Sequence, residues 1–136
     1  KKGILKLGNI YAKRDWGHAK DYVEMQWKIL QQKKPDDYVI ATGVQYSIKQ
    51  FINITAKKLN LKIFWKGKGL HEKAYNKRGI PIIECDKTYL RPLDVNTLIG
   101  DAKKAKRKLK WKPVEDIDSL IDEMIKSEYQ KINDGY

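Results

Sequence analysis

Two arginines and one acid are the residues of this chain best suited to hold an anionic ligand. Arg14 lies between a short apolar stretch and the start of a helix, with Asp15 and Trp16 beside it to cap and pack the corner. Arg91 precedes Pro92, which steers its backbone away from helical geometry, and Asp94 follows three residues on. A planar guanidinium grips a diphosphate through two parallel hydrogen bonds. A carboxylate nearby suits the vicinal hydroxyls of a ribose. An anion-binding arginine followed by a diol-binding acid makes a nucleotide-holding pair. The same residue types also make structural salt bridges, and the residues alone leave both readings open.

Other chemistry is missing from the pattern. There is no Gly-x-Gly-x-x-Gly, no Gly-x-x-Gly-x-x-Gly and no P-loop, and none of the eight tyrosines has a lysine four residues on. His18 and His71 lack metal-ligand spacing with each other or with Cys85. His18 reads as a polar or packing residue at a helix start, His71 as a solvated loop residue, and Cys85 as an ordinary thiol. The densest basic run, Lys103, Lys104, Lys106, Arg107, Lys108, Lys110 and Lys112, has only Trp111 as an aromatic neighbour. It reads as a solvated helix surface in preference to a nucleic-acid contact.

Composition bounds the rest. The chain has 136 residues, 41% hydrophobic and 34% charged, enough for one domain with a real core. No apolar run approaches the roughly 20 residues of a membrane span, and the start shows no signal-peptide pattern. One cysteine excludes an intrachain disulfide framework and suits a reducing, cytoplasmic setting. The formal charge is +12. From Glu115 to Tyr136, seven acids against two lysines give −5, so the preceding residues carry +17. A basic body attracts anions, although a lysine-rich proteome would give the same number.

The elements that must position these residues follow from spacing. A helix is predicted from His18, with Ala19, Tyr22, Val23, Trp27 and Leu30 on its buried face and Pro35 beyond its end. Tyr38 to Thr42 reads as a buried strand stopped by Gly43. Ser47 with Gln50 makes a capping box, opening a helix that buries Ile48, Phe51, Ile52, Thr55 and Leu59. Leu61 to Trp65 reads as a second strand, so the order suggests an α/β unit with parallel pairing. Gly67 to Gly79 reads as an exposed, mobile loop. Ile80 to Glu84 is an extended piece that Pro81 places at an edge, and 86–94 is extended or turn. Asp101 caps a helix carrying Ala102, Ala105 and Leu109. A last helix begins near Asp116, with Ile117, Leu120, Ile121, Met124, Ile125, Tyr129 and Ile132 on one stripe.

The same residues carry a resemblance. The runs Leu7-Gly8-Asn9, Arg14-Asp15-Trp16-Gly17-His18-Ala19-Lys20-Asp21-Tyr22-Val23 and Gln26-Trp27, then Leu30-Gln31-Gln32, resemble the GDP-mannose 4,6-dehydratase family. So do Asp37 to Gln45, Tyr46-Ser47, Phe51, Tyr89-Leu90-Arg91-Pro92 with Asp94-Val95, Gly100-Asp101, Lys104-Ala105 and Leu109-Lys110-Trp111-Lys112-Pro113. The likeness covers nearly the whole chain. Ile10-Tyr11 departs from the pair usual there, Leu-Asp or Met-Asp, and Gly67 to Ile83 matches loosely.

The resemblance implies an α/β fold. Residues 1–136 would be the C-terminal, sugar-nucleotide-binding portion of an extended short-chain dehydrogenase/reductase, with a strand and helices of the Rossmann domain. The N-terminal cofactor-binding domain would be absent. It implies a carbon–oxygen lyase that converts GDP-mannose to GDP-4-dehydro-6-deoxymannose and water, on the route to GDP-fucose, with NADP as cofactor and a homo-oligomeric assembly. The catalytic tyrosine, lysine, threonine or serine, and glutamate would all lie upstream of Lys1, so these residues alone are expected to be inactive. Arg14 would then lie near the substrate cleft, Arg91 on the GDP diphosphate and Asp94 on the ribose. Asp94 stands where the family usually has glutamate, so its reach is shorter. The competing expectation is a non-enzymatic basic binding module, for nucleic acid or another anion, or a degenerate piece.

Overall fold

The computed structural model describes residues 3–91, 93 and 95–135. In chain order the elements are β1 (Leu5–Leu7), β2 (Lys13–Arg14), α1 (Ala19–Leu30), β3 (Tyr46–Ser47), α2 (Ile48–Lys58), β4 (Ile63–Lys66), β5 (Lys73–Asn76), β6 (Pro81–Cys85), α3 (Lys103–Leu109) and α4 (Ile117–Asn133). Single 3-10 turns lie at Gly69–His71 and Lys87–Tyr89. These elements fall into two compact units. The first takes residues 1–13 and 46–97, the second 14–45 and 98–136. The chain passes from one to the other three times, which is why no linker marks the division in the sequence.

The first unit is a mixed sheet with the strand order β1-β6-β5-β4. β1 runs parallel to β6, while β5 is antiparallel to both β6 and β4. The architecture is α/β, but of the three strand pairings in this sheet only that of β1 with β6 is parallel, as expected. The links between β4, β5 and β6 are too short for a parallel crossover, so antiparallel hairpins are the accessible solution. Gly67 and Gly79 supply the positive φ angles that these links need.

Two expectations are corrected here. The segment from Gly67 to Gly79 is not an open loop: it holds a 3-10 turn and β5, with Glu72 and Ala74 buried. Its polar residues hid a strand because the Glu72 charge is met by Lys49, 23 residues away. β6 is a central strand, not an edge. Pro81 is tolerated because it is the first residue of the strand, at a register shift opposite Tyr75.

α2 starts as its sequence signal requires. The Ser47 hydroxyl accepts from the Gln50 N–H at 3.1 Å, and the Gln50 side chain accepts from the Ser47 N–H at 2.7 Å. Both otherwise orphaned donors are met within one turn. The unit buries Ile10, Ala12, Ala56, Ala74 and Ile83.

The second unit is organised by Met25, Ala105, Leu109 and Trp111, with Tyr22, Ile29, Tyr38, Ile40 and Ala102 packed around them. Of the residues expected on the buried face of α1, Tyr22 packs on this core and the others do not. Met25 is fully buried, whereas Val23, Trp27 and Leu30 are exposed. The helix carries two apolar stripes about half a turn apart, and periodicity cannot say which one meets the partner helix. The predicted strand from Tyr38 to Thr42 has no ladder partner among the described residues and is irregular. Its Tyr38 and Ile40 side chains pack on the core, while Thr42 and Gly43 donate to the Asp15 carboxylate.

The α3 start follows Asp101, whose carboxylate accepts from the Lys103 N–H at 2.9 Å. α4 opens on a reciprocal cap between Asp116 and Ser119. Ile117 and Ile121 of its stripe are buried, but Met124, Tyr129 and Ile132 are exposed. No helix of the described residues is long and apolar enough to cross a membrane.

Candidate functional site

Arg91 follows the Lys87–Tyr89 turn, and that turn is held firmly. The Asp86 carboxylate accepts from the Thr88 N–H at 2.9 Å and pairs with the Lys6 ammonium at 3.0 Å. The backbone hydrogen bond from Thr88, then the Lys6 contact, hold its carboxyl down at about 2. The Asp86 N–H in turn donates to the Leu7 carbonyl at 2.7 Å. Arg91 therefore leaves a turn that is tied to β1.

Gly8 makes this approach feasible. A Cβ there would run into the Tyr89 carbonyl oxygen, a backbone atom with no freedom to yield. Gly8→Ala is expected to push β1 off the turn, lowering the melting temperature and weakening any anion bound at Arg91. Thermal melts and phosphate-ester titrations of the variant check this. An unchanged profile in both would contradict the packing role.

Between these two arms lies a cavity of about 490 Å3, lined by Asn9, Ile10, Tyr11, Gly69, Leu70, Cys85, Leu90, Arg91 and Asn96. Its walls are mostly apolar, with two amides, one phenol and one guanidinium. This is the mix expected of a small-ligand pocket. Among the described residues no carboxylate lines it. Burial pushes the Cys85 thiol up from its ordinary value.

The pocket is braced from behind by a group that spacing did not reveal. The buried Glu72 carboxylate accepts from the Tyr11 hydroxyl and from the Lys49 ammonium, the latter at 2.6 Å. Lys49 also lies over the Trp65 ring, 5.0 Å from its centroid. Burial pushes the Glu72 carboxyl up, but the bonds from Lys49 and Tyr11 outweigh it and leave it below its ordinary value. The same hydrogen bond to Glu72 pushes the Tyr11 phenol up. Tyr11 is thus fixed as a donor, on the same wall as Gly69 and Leu70. No sequence signal marked this trio, because its members are 23 to 61 residues apart.

Arg14 ends β2, is half-buried, and belongs to the second unit. Its neighbour Asp15 clamps Thr42 and Gly43, as a corner residue should. Asp94 lies outside the described residues. His18 caps α1, with Nδ1 accepting from the Lys20 N–H at 3.1 Å and Nε2 facing Glu123 at 3.2 Å. Because Nδ1 accepts, the ring proton sits on Nε2. Among the described residues no cluster of histidine, cysteine and acid could hold a metal ion.

The sequence model of a family described as GDP-mannose 4,6 dehydratase matches residues 1–124. A GDP-mannose 4,6-dehydratase of Vibrio cholerae serotype O1 is 44% identical, across 93% of this chain and 37% of its own length. That of Dictyostelium discoideum is 43% identical, across 97% and 37%, and the human one 44%, across 91% and 34%. The chain thus spans about a third of the length of these curated relatives. In backbone it resembles a dTDP-glucose 4,6-dehydratase from Bacillus anthracis in complex with NAD, with a TM-score of 0.70 at 18% identity over 98% of this chain and 36% of that one. It also resembles a UDP-glucose-4-epimerase from Stenotrophomonas maltophila with bound NAD, with a TM-score of 0.71 at 14% identity over 97% and 37%. At such identities these two likenesses bear on the fold alone.

Proposed function

Because this chain belongs to the GDP-mannose 4,6 dehydratase family, we propose that it forms the nucleotide-sugar-holding part of an enzyme that converts GDP-mannose to GDP-4-dehydro-6-deoxymannose and water. The observation that carries this reading is the Arg91 cavity. It joins a guanidinium that follows a held turn to apolar walls and amides, with no carboxylate among the described residues that line it. Arg91 would hold the diphosphate through its paired N–H groups. Leu70, Leu90 and the Asn9 and Asn96 amides would take up the nucleoside. Arg14 and Asp94 are proposed as further substrate contacts, on the family resemblance.

We assign the binding role, and not turnover, to these 136 residues. The dehydration requires a hydride acceptor, proposed to be NADP, and a base. The sequence has no glycine-rich strand-to-helix turn to cradle a dinucleotide and no Tyr-x-x-x-Lys pair. The residues present do not fit that cofactor. A homo-oligomer and a cytoplasmic location are proposed for the complete enzyme on the same resemblance.

Calorimetric titration with GDP, GDP-mannose and mannose 1-phosphate tests the assignment. GDP and GDP-mannose are expected to bind, and mannose 1-phosphate to bind far more weakly. Arg91→Gln should weaken GDP by about 10- to 100-fold, the worth of a charge-assisted phosphate contact. A folded chain that ignores GDP would sink the proposal.

A further inference from the structure

The overall charge of the chain is segregated in a way that its order of residues conceals. The first unit holds fifteen lysines and arginines against four acids, a net +11, while the second holds fourteen against thirteen, a net +1. Within the second unit the conspicuous basic run is partly neutralised: Lys104 and Lys108 both pair with Asp36, at 2.5 and 3.0 Å. In the first unit Glu72, Glu84 and Asp86 are already taken by Lys49, Lys73 and Lys6.

Four other cations of that unit line two adjoining concavities. Lys62, Lys77 and Arg78 line a concavity of about 770 Å3 between the start of β4 and the β5–β6 turn. Lys57 and Lys62 line an adjoining one of about 470 Å3 beside the end of α2. The two share Asn60, Leu61, Lys62 and Ile63 as a common wall, so they adjoin along that segment. No acid lines either, and none of the four cations makes an ion pair among the described residues. The groove also presents apolar surface to solvent: Leu61, Phe64 and Ile80 are each more than half exposed.

We propose that this groove binds single-stranded nucleic acid, with phosphates on Lys57, Lys62, Lys77 and Arg78 and bases against Phe64, Leu61 and Ile80. A cationic channel with an exposed aromatic ring is how unstacked strands are held without sequence preference. The concave shape favours a flexible phosphodiester chain, which can follow it, over the plane of a bilayer. This site is independent of the Arg91 pocket, with which it shares no lining residue.

The test is fluorescence anisotropy of the 136-residue chain with labelled oligo(dT) and oligo(U), from 50 to 200 mM salt. Four phosphate contacts on a single strand give a log–log slope of about −3, a loss of about 50-fold across that range. Lys62→Gln with Arg78→Gln should halve the slope, and Phe64→Ala should weaken binding about tenfold with the slope unchanged. Lys103→Gln with Lys106→Gln serves as the control and should change neither. Melting temperatures within 2 °C of the parent, on the order of the scatter expected for surface changes, confirm that the variants are folded. The proposal is overturned if the oligonucleotides do not bind, if the Lys62/Arg78 pair leaves the slope intact, or if phosphatidylserine vesicles or poly-glutamate bind at the groove while the oligonucleotides do not.

Discussion

Replacing Trp111 with alanine is expected to unfold the second unit, at a cost of about 4 kcal/mol. Trp111 is 1% exposed and fills the space between Met25 on α1 and Ala105 and Leu109 on α3. It gets there because α3 stops at Leu109 and Lys110 turns left-handed, with φ 52°. The indole N–H then donates to the Asp21 carbonyl at 3.1 Å. Asp21 is itself buried, and its carboxylate accepts from the Val114 and Glu115 N–H groups at 3.1 and 3.0 Å. One indole thus seals the core and joins two segments 90 residues apart. Trp111→Phe keeps most of the ring and loses the N–H, so about 1–2 kcal/mol should separate it from the parent. Urea denaturation followed by circular dichroism measures both. An alanine variant within 1 kcal/mol of the parent, well below the range for deleting a buried aromatic, would contradict the packing described.

The second large effect belongs to Glu72. Glu72→Ala strips the partner from Lys49 and from the Tyr11 hydroxyl, and should cost about 2–4 kcal/mol in the first unit. Glu72→Gln keeps the shape and one hydrogen bond but loses the charge, and should fall between the alanine variant and the parent. The pH dependence has a definite sign. The folded carboxyl lies below its ordinary value, so its stabilisation is fully present above the unfolded value of about 4.3. That stabilisation is lost as pH falls through the folded value. The parent should therefore lose stability steeply below about pH 4.5, and Glu72→Gln should give a flatter acid limb over the same window. Parallel acid limbs for the two proteins would remove Glu72 from the account. GDP titration near pH 7 adds a second reading, because a Tyr11 released from its brace should raise the dissociation constant more than the stability loss explains.

Where the signal is a hydrogen bond spanning three residues, the sequence was enough. The Ser47–Gln50 box stands where its spacing put it, the last helix begins beside Asp116 as expected, and Asp101 bonds the first turn of α3. Arg91 was singled out in the sequence by the proline that follows it, and in the structure it lines a pocket. The α1 face was not legible. Val23, Trp27 and Leu30 form as good a stripe as the one around Met25, and only the position of α3 selects between them. The strand β5 was hidden by Lys73, Glu72 and Asn76, whose polarity looks like a loop until Lys49 and Glu84 are seen to meet two of those charges.

By itself, then, the chain determined its helix starts, its family motifs and the arginine that faces a pocket, because each depends on neighbours a few residues away. Tertiary structure alone decided three other things: that β6 is central, that Glu72 braces the pocket, and that the net charge of +12 resides almost wholly in the first unit. The physical reason is common to all three. A strand's neighbours, a buried charge's partner and a lysine's counterion come from residues tens of positions away, and only the fold brings them within bonding distance.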